Sequence, residues 1–206
     1  MSSKRGSPSA GLAGYEVLVG VCGGIAAYKV CYVVSELVQR GAGVTVAMTE
    51  AATRFVGPVT FQALTGRRPA VNMWALGDRE AVAHIERTQL ADLMLIAPAT
   101  ANIIAKTAAG IADDLMSTII LSADSPVVLA PAMNDRMWAN PVTQRNVAAL
   151  RDTGYTFVGP AEGRLACGTA GVGRMLEPRE ILDVIIPMLE AKPAKAIGKV
   201  PGLSDV

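Results

Sequence analysis

The chain is 206 residues long and 51% hydrophobic, enough for one domain with a sizeable buried core and short appendages. With 19 Lys and Arg against 18 Asp and Glu and no basic run, nothing in the charge favours nucleic acid or an anionic membrane, and a small-molecule partner is expected. Every apolar stretch is broken by Pro, Gly or a charge within about ten residues, well short of the ~20 that a bilayer-spanning helix needs.

Residues 1–14 are small, polar and rich in Gly, Ser and Pro, without the apolar centre of a secretory signal, and are expected to form a disordered leader. Tyr15 to Val21 is an apolar run ending at Cys22-Gly23-Gly24, after which Ile25, Val30, Val33, Val34, Leu37 and Val38 recur at helical spacing. The pattern predicts strand, glycine turn and helix, with Gly41 supplying a left-handed cap. Val44 to Met48 reads as a second buried strand and Thr49 as the N-cap of the next helix. Leu93 to Ala97, Val127 to Ala130 and Tyr155 to Val158 are further strands, running into Pro98, Pro131 and Gly159-Pro160. Strands buried on both faces and alternating with helices imply a three-layer α/β/α fold around a parallel, doubly wound sheet of Rossmann-like or flavodoxin-like type. Gly163 to Met175, with four glycines around Cys167, reads as a loop poor in helix and strand: either a mobile flap carrying a thiol or an ordinary surface loop. The last helix is expected from near Pro178 to Leu189. Residues 191–206 are expected to be a flexible tail, leaving 15–190 as the domain.

Cys22, Cys31 and Cys167 form neither an even set nor metal-ligand spacing, and His84 is the only histidine. A reducing, cytoplasmic setting and no metal site are expected.

In an open parallel sheet, ligands bind beyond the carboxyl ends of the strands, and the unusual loops of this chain fall there. Gly23-Gly24-Ile25 either makes a structural turn or lets backbone N–H groups approach a phosphate or a ring. Neither the full dinucleotide fingerprint nor a Walker lysine pattern is present, so a mononucleotide such as FMN fits better. Thr49 is an N-cap that can also hold a terminal phosphate. In Pro98-Ala99-Thr100-Ala101-Asn102, ahead of a helix at Ile103, small side chains leave room for a flat ring, and a hydroxyl and an amide can bond its edges; an ordinary capped turn is the alternative. Pro131-Ala132-Met133-Asn134 offers a stiffened backbone, a soft thioether and an amide able to grip a carboxylate, although asparagine also serves turns for its own conformational reasons. His84 is either a packing histidine or a base near neutral pH, and a Cys-His hydrolase pairing it with Cys167 is a rival reading.

Taken together, GGIAAYK at 23–29, His84, PATAN at 98–102, PAMN at 131–134 and the LACG..G.GRM segment at 165–175 resemble the flavin-dependent cysteine decarboxylases, over roughly Tyr15 to Leu189. PAMN with the cysteine segment resembles the branch that acts on 4'-phosphopantothenoylcysteine in coenzyme A biosynthesis more than the lantibiotic-type peptide decarboxylases. The resemblance implies an FMN-dependent lyase with His84 as the active-site histidine, Asn134 orienting the cysteine carboxylate and Cys167 as proton donor. It implies FMN contacts from Gly23, Gly24, Ile25, Thr49, Phe55, Thr100, Ala101, Asn102, Ile103 and Ala132, and substrate contacts from Asn134, Met133 and Arg174. It also implies a homo-oligomer, a trimer or a dodecamer, with the flavin near a subunit boundary. The implied chemistry oxidises the terminal cysteinyl group to a thioaldehyde, releases carbon dioxide to leave an enethiolate, and then returns electrons and a proton to give 4'-phosphopantetheine. Many relatives carry a second, ligase domain, and without room for it after Leu189 this chain is expected to be either a stand-alone enzyme or a fragment; Cys22 stands where relatives commonly have a small hydroxyl residue. Two rivals of other classes are a non-catalytic flavin-binding regulatory subunit and a flavodoxin-like electron carrier. The presence of His84 and Cys167 tells against the first, and the cysteine segment and near-neutral charge against the second.

Overall fold

Unbroken aliphatic runs leave no polar face to give to water, so the strands they form must be covered on both sides. The computed structural model, which describes residues 11–72, 90–164, 168, 170–191 and 193, has five such strands: β1 Glu16–Val21, β2 Gly43–Met48, β3 Leu93–Ala99, β4 Val127–Pro131 and β5 Thr156–Phe157. All pair in parallel in the order β2-β1-β3-β4-β5, which places the change of winding direction between β1 and β3.

Alternate residues of each strand feed two different cores. On one face Val17, Val19, Val21, Leu93, Leu95, Val128 and Ala130 pack with helices α1 (Ala27–Gln39), α2 (Pro58–Thr65) and α7 (Pro178–Glu190). On the other, Leu18, Met94, Ile96 and Leu129 pack with α3 (Ala101–Ala109), α4 (Leu115–Leu121) and α6 (Pro141–Asp152). This is the expected three-layer α/β/α architecture. Every residue of β3 is buried, and a fully buried Leu or Ile contributes about 1.5–3 kcal/mol, so this strand is the axis on which both cores hang. Gly20 of β1 has a packing reason, because a Cβ there would stand 2.6 Å from Ile96 Cδ1 and 2.7 Å from Met116 Sδ.

The strand ends move by a residue or two from the sequence expectation, and β5 shrinks to the two residues that pair with Val128 and Leu129. Gly41 caps α1 as expected, with φ +91°. The Gly41 N–H donates to Val38 O and the Ala42 N–H to Leu37 O, the double bond of a Schellman motif. Thr49 does cap a helix, but a five-residue 3₁₀ helix, Glu50–Arg54.

Two expectations are corrected. Leu12, assigned to the disordered leader, is fully buried and its N–H donates to Arg40 O at 2.7 Å, so packing begins before Tyr15. Within Gly163–Met175, the described residues are not an irregular loop: β6 (Ala161–Arg164) and β7 (Ala170–Arg174) form an antiparallel pair outside the main sheet. Glycine lowers strand propensity, which hid the hairpin, but here it serves close approach rather than hinge motion. A Cβ on Gly171 would lie 2.8 Å from Asp135 Cβ, and one on Gly173 would drive into Met133 O.

Among the described residues no helix is long and apolar enough to cross a membrane, and no group of three His, Cys, Asp or Glu side chains is placed to hold a metal.

Candidate functional site

The carboxyl ends of β1, β2, β3 and β4 open into a cleft of about 1630 Å³ over the β1/β3 switch point. Five chain segments supply the predicted residues found in its wall. The β1–α1 turn gives Gly23, Gly24 and Ile25; the stretch after β2 gives Thr49 and Phe55; the first turn of α3 and its cap give Thr100, Ala101, Asn102 and Ile103; the turn after β4 gives Ala132, Met133 and Asn134. Arg174, the last residue of β7, closes the set. His84 and Cys167 lie outside the described residues.

Local chemistry explains this convergence. A Cβ on Gly23 would stand 2.5 Å from Ala51 Cβ, so only glycine lets the first turn lie against the 3₁₀ helix. Thr49 Oγ1 accepts from the Ala52 N–H at 3.2 Å, and Thr100 Oγ1 accepts from the Ile103 N–H at 3.4 Å. A hydroxyl that accepts still has a proton to donate, so each cap can serve an anion in the cleft as well as its own helix. The nine-residue α3 also turns its positive N-terminal end to that cleft. Its helix starts at Ala101, so Ala101 and Asn102 belong to the first turn rather than to a preceding loop.

Cys22 lines the floor at 1% exposure. Burial pushes its thiol up to about 12, with the Asp114 charge adding to the rise and a hydrogen bond involving the Thr100 backbone opposing it. It is therefore a neutral, compact group at physiological pH, as a small hydroxyl would be. Beside it Lys106 Nζ donates to Asp113 at 2.6 Å and to Asp114 at 2.7 Å, while Asp114 caps α4 by accepting from the Ser117 N–H at 2.8 Å. This staple fixes the end of α3 against the start of α4.

The turn after β4 adjoins the end of β3, its Ala132 N–H donating to Ala99 O at 3.1 Å. Asn134 caps the short helix α5 (Asp135–Ala139), its Oδ1 accepting from the Arg136 N–H at 2.8 Å. The Met133 N–H donates to Gly173 O at 2.9 Å, clasping this turn to the hairpin. Gly163 leaves the space that the Arg174 stem occupies, since a Cβ there would lie 2.9 Å from Arg174 Nε.

The flavoprotein family model matches residues 5–190, nearly the whole chain. The chain belongs to the flavoprotein family. Among curated relatives, this flavoprotein is 49% identical over 168 residues to the coenzyme A biosynthesis bifunctional protein CoaBC of Bacillus subtilis, covering 82% of this chain and 41% of the relative. It is 46% identical over 175 residues to CoaBC of Escherichia coli K12, covering 85% of this chain and 43% of the relative. The chain thus spans about two-fifths of the length of these curated relatives. Among solved structures it is similar to a mutant PPC decarboxylase complexed with pantothenoylaminoethenethiol, with TM-score 0.74 and 30% identity over 85% of this chain and 98% of that one. It is also similar to the FMN-dependent cysteine decarboxylase SpaF, with TM-score 0.73 and 35% identity over 87% and 98% of the two chains.

Sequence reasoning missed several residues of the flavoprotein cleft. Asp113 and Asp114 line it, and the spacing of Asp114 and Ser117 before an apolar run is a capping signal that could have marked the turn. Lys29 lines it too, although it lies in the GGIAAYK motif and is a buried cation on an otherwise apolar helix face. Its partner, Glu177, is 148 residues away, so the pair has no local sequence signal.

Proposed function

We propose that this chain is an FMN-dependent lyase that decarboxylates 4'-phosphopantothenoylcysteine to 4'-phosphopantetheine. The observation that carries the reading is the clasp of the Met133-Asn134 turn to the β6–β7 hairpin, in the wall of the same cleft that holds a glycine and hydroxyl cradle at the switch point. The names of SpaF and of the PPC decarboxylase complex support decarboxylation of a cysteine compound, and the name of the CoaBC relatives supports a place in coenzyme A biosynthesis.

The cleft fits a flavin mononucleotide. Only glycine is tolerated at position 23, small side chains stand at Ala101 and Ala132, and the Thr49 and Thr100 hydroxyls sit at helix starts suited to a phosphate. Gly23, Gly24, Ile25, Phe55, Asn102 and Ile103 complete the holding set. Bound there, FMN would supply a reversible two-electron sink for the cysteinyl group, so that decarboxylation would need no external reductant.

The chain's own residues bind, orient and move protons. Asn134 holds the cysteine carboxylate with its amide, while the oxygen that caps α5 fixes its rotamer. Met133 supplies soft apolar contact to the thiol-bearing end. His84 assists the initial deprotonation, and Cys167 gives a proton to the enethiolate carbon; an unperturbed thiol, with pKa ~8.5, is mostly protonated at neutral pH, as an acid must be.

The reading extends to a cytoplasmic homo-oligomer, a trimer or a dodecamer. Ile25, Tyr28, Tyr32 and Phe55 are 49–66% exposed along one side of α1 and the cleft mouth, and an apolar patch of this kind suits a second copy of the chain.

The test is to purify the protein, record its visible spectrum, add 4'-phosphopantothenoylcysteine without oxygen and follow the product by mass. Bound flavin with loss of one carbon dioxide per substrate is expected. A yellow protein that leaves this substrate intact refutes the substrate assignment, and a colourless protein that cannot be reconstituted with FMN refutes the reading at its base.

A further inference from the structure

Three ionic side chains outside the cofactor cradle join the two walls of the cleft. Lys29, on the first turn of α1, is 9% exposed, and its Nζ donates to Glu177 Oε1 at 2.7 Å. Glu177 is the N-cap of α7, and its backbone N–H donates to Glu180 Oε2 at 2.8 Å, so its position is set by the helix start as well as by the lysine. The same carboxylate oxygen lies 3.6 Å from Arg174 Nη1, a longer and looser contact. Lys29 and the neighbouring Arg174 charge together hold the Glu177 carboxyl below its usual range, the lysine hydrogen bond being the larger cause.

Arg174 is the incomplete member. Its Nε is buried yet finds no acceptor among the described residues, while the side chain as a whole is 41% exposed and lines the cleft. A guanidinium donates through a rigid fork, and a buried donor without an acceptor is destabilising. With one Nη near Glu177 and Nε packed beside Gly163, it is the exposed remainder of the side chain that meets the cleft. An anion is the ligand that satisfies a charged donor best, by a bidentate bond.

We propose that Glu177, itself anchored by Lys29, is a positioning residue that orients Arg174 to receive the phosphate of the substrate in the cleft. This rests on the function proposed above, which supplies a substrate with two anionic groups: Asn134 takes the carboxylate and Arg174 the phosphate at the other end. The lysine is needed because a lone glutamate could swing with the arginine. Pinned at 2.7 Å to a buried ammonium, it acts instead as a fixed reference for a mobile partner.

The experiment compares wild type with Glu177→Gln, Arg174→Ala and the double variant, each loaded with FMN, measuring FMN Kd by fluorescence, thermal stability, and KM and kcat for 4'-phosphopantothenoylcysteine and for its analogue lacking the phosphate. The proposal expects Glu177→Gln to raise KM for the phosphorylated substrate about tenfold with kcat and FMN Kd little changed, and to leave KM for the dephospho analogue unaltered. It expects no further rise when Glu177→Gln is added to Arg174→Ala, because the first acts through the second. An unchanged KM in Glu177→Gln, equal effects on both substrates, additive effects in the double variant, or a rise in FMN Kd alone would each overturn it. If wild type binds FMN but turns over neither substrate, it is the proposed function that fails, a result distinct from any of these.

Discussion

Gly173→Ala tests the clasp between the hairpin and the Met133-Asn134 turn most directly. The added methyl would collide with Met133 O and would sit 3.3 Å from both the Asn134 carbonyl carbon and the Asp135 nitrogen. All three atoms are backbone, so no side chain can swing aside, and β7 must move away from the turn by about 1 Å, the scale of misplacement that costs roughly 10²-fold in rate. That movement also breaks or lengthens the 2.9 Å bond from the Met133 N–H to Gly173 O, worth about 1 kcal/mol, on top of about 1–3 kcal/mol for overpacking. The β6–β7 pair contributes little to either main core, so the loss should appear as misplacement of Asn134 and Arg174 more than as a lower Tm. The expected result is a fall in kcat/KM of about 10²-fold with FMN Kd near wild type. Gly110→Ala is the control: it carries a positive φ, +68°, which Gly173 does not, but its Cβ meets nothing within 4 Å and it is absent from the cleft lining. It should cost only about 1 kcal/mol and leave kcat/KM alone. Gly173→Ala with unaltered turnover would falsify the claim that the clasp sets the substrate wall.

Replacing Thr49 or Thr100 by Ala should lower stability by about 1 kcal/mol through the lost cap and weaken FMN binding, read by flavin fluorescence; a lost cap with unchanged FMN Kd would leave the hydroxyls a purely structural role. Cys22, with its thiol near 12, should resist iodoacetamide in the folded protein through pH 9 and react on unfolding, as peptide mass mapping would show; early labelling would contradict its burial. Glu177 and Asp114 both titrate below their ordinary values in the folded chain: Glu177 through Lys29, and Asp114 because the bonds from Lys106 and Ser117 outweigh the burial that alone would raise it. Their contributions are therefore present above the unfolded carboxylate range and are lost as pH falls through it and below, so Tm should decline from about pH 4.5 downward, and less steeply in a Lys29→Met, Lys106→Met variant.

The central sheet was legible because β1 to β4 carry almost no outward-facing polar residue, and a run such as Leu93–Ala97 has few other ways to fold. The cleft was legible for a related reason: Gly23-Gly24, Thr100 and Asn134 each follow a strand, and in a parallel sheet such turns converge. What stayed hidden depends on partners distant in sequence. The glycines at 163, 171 and 173 suggest freedom when read locally, whereas the neighbours that require them, Arg174, Asp135 and Met133, make them instruments of close packing. Lys29 is helical by spacing, but nothing near it in the chain announces Glu177. Leu12 looked like part of a polar leader because a single apolar residue carries no periodicity; it is buried as a member of one of the two main cores, with its N–H donating to Arg40 O.

The hairpin shares no strand with the five-stranded sheet, and this separates two free energies that are joined in most enzymes. Opening the β6–β7 pair requires release of the Met133–Gly173 bond and the Arg174–Glu177 contact, but exposes neither main core. The amides of β1 and β3 should therefore exchange hydrogen only on global unfolding, while those of β6 and β7 exchange by a cheaper, local route. A ligand bridging Asn134 and Arg174 would close that gap. Substrate binding would then be visible as selective protection of residues 170–174 with little change in the sheet, so that occupancy could be followed amide by amide without any turnover at all.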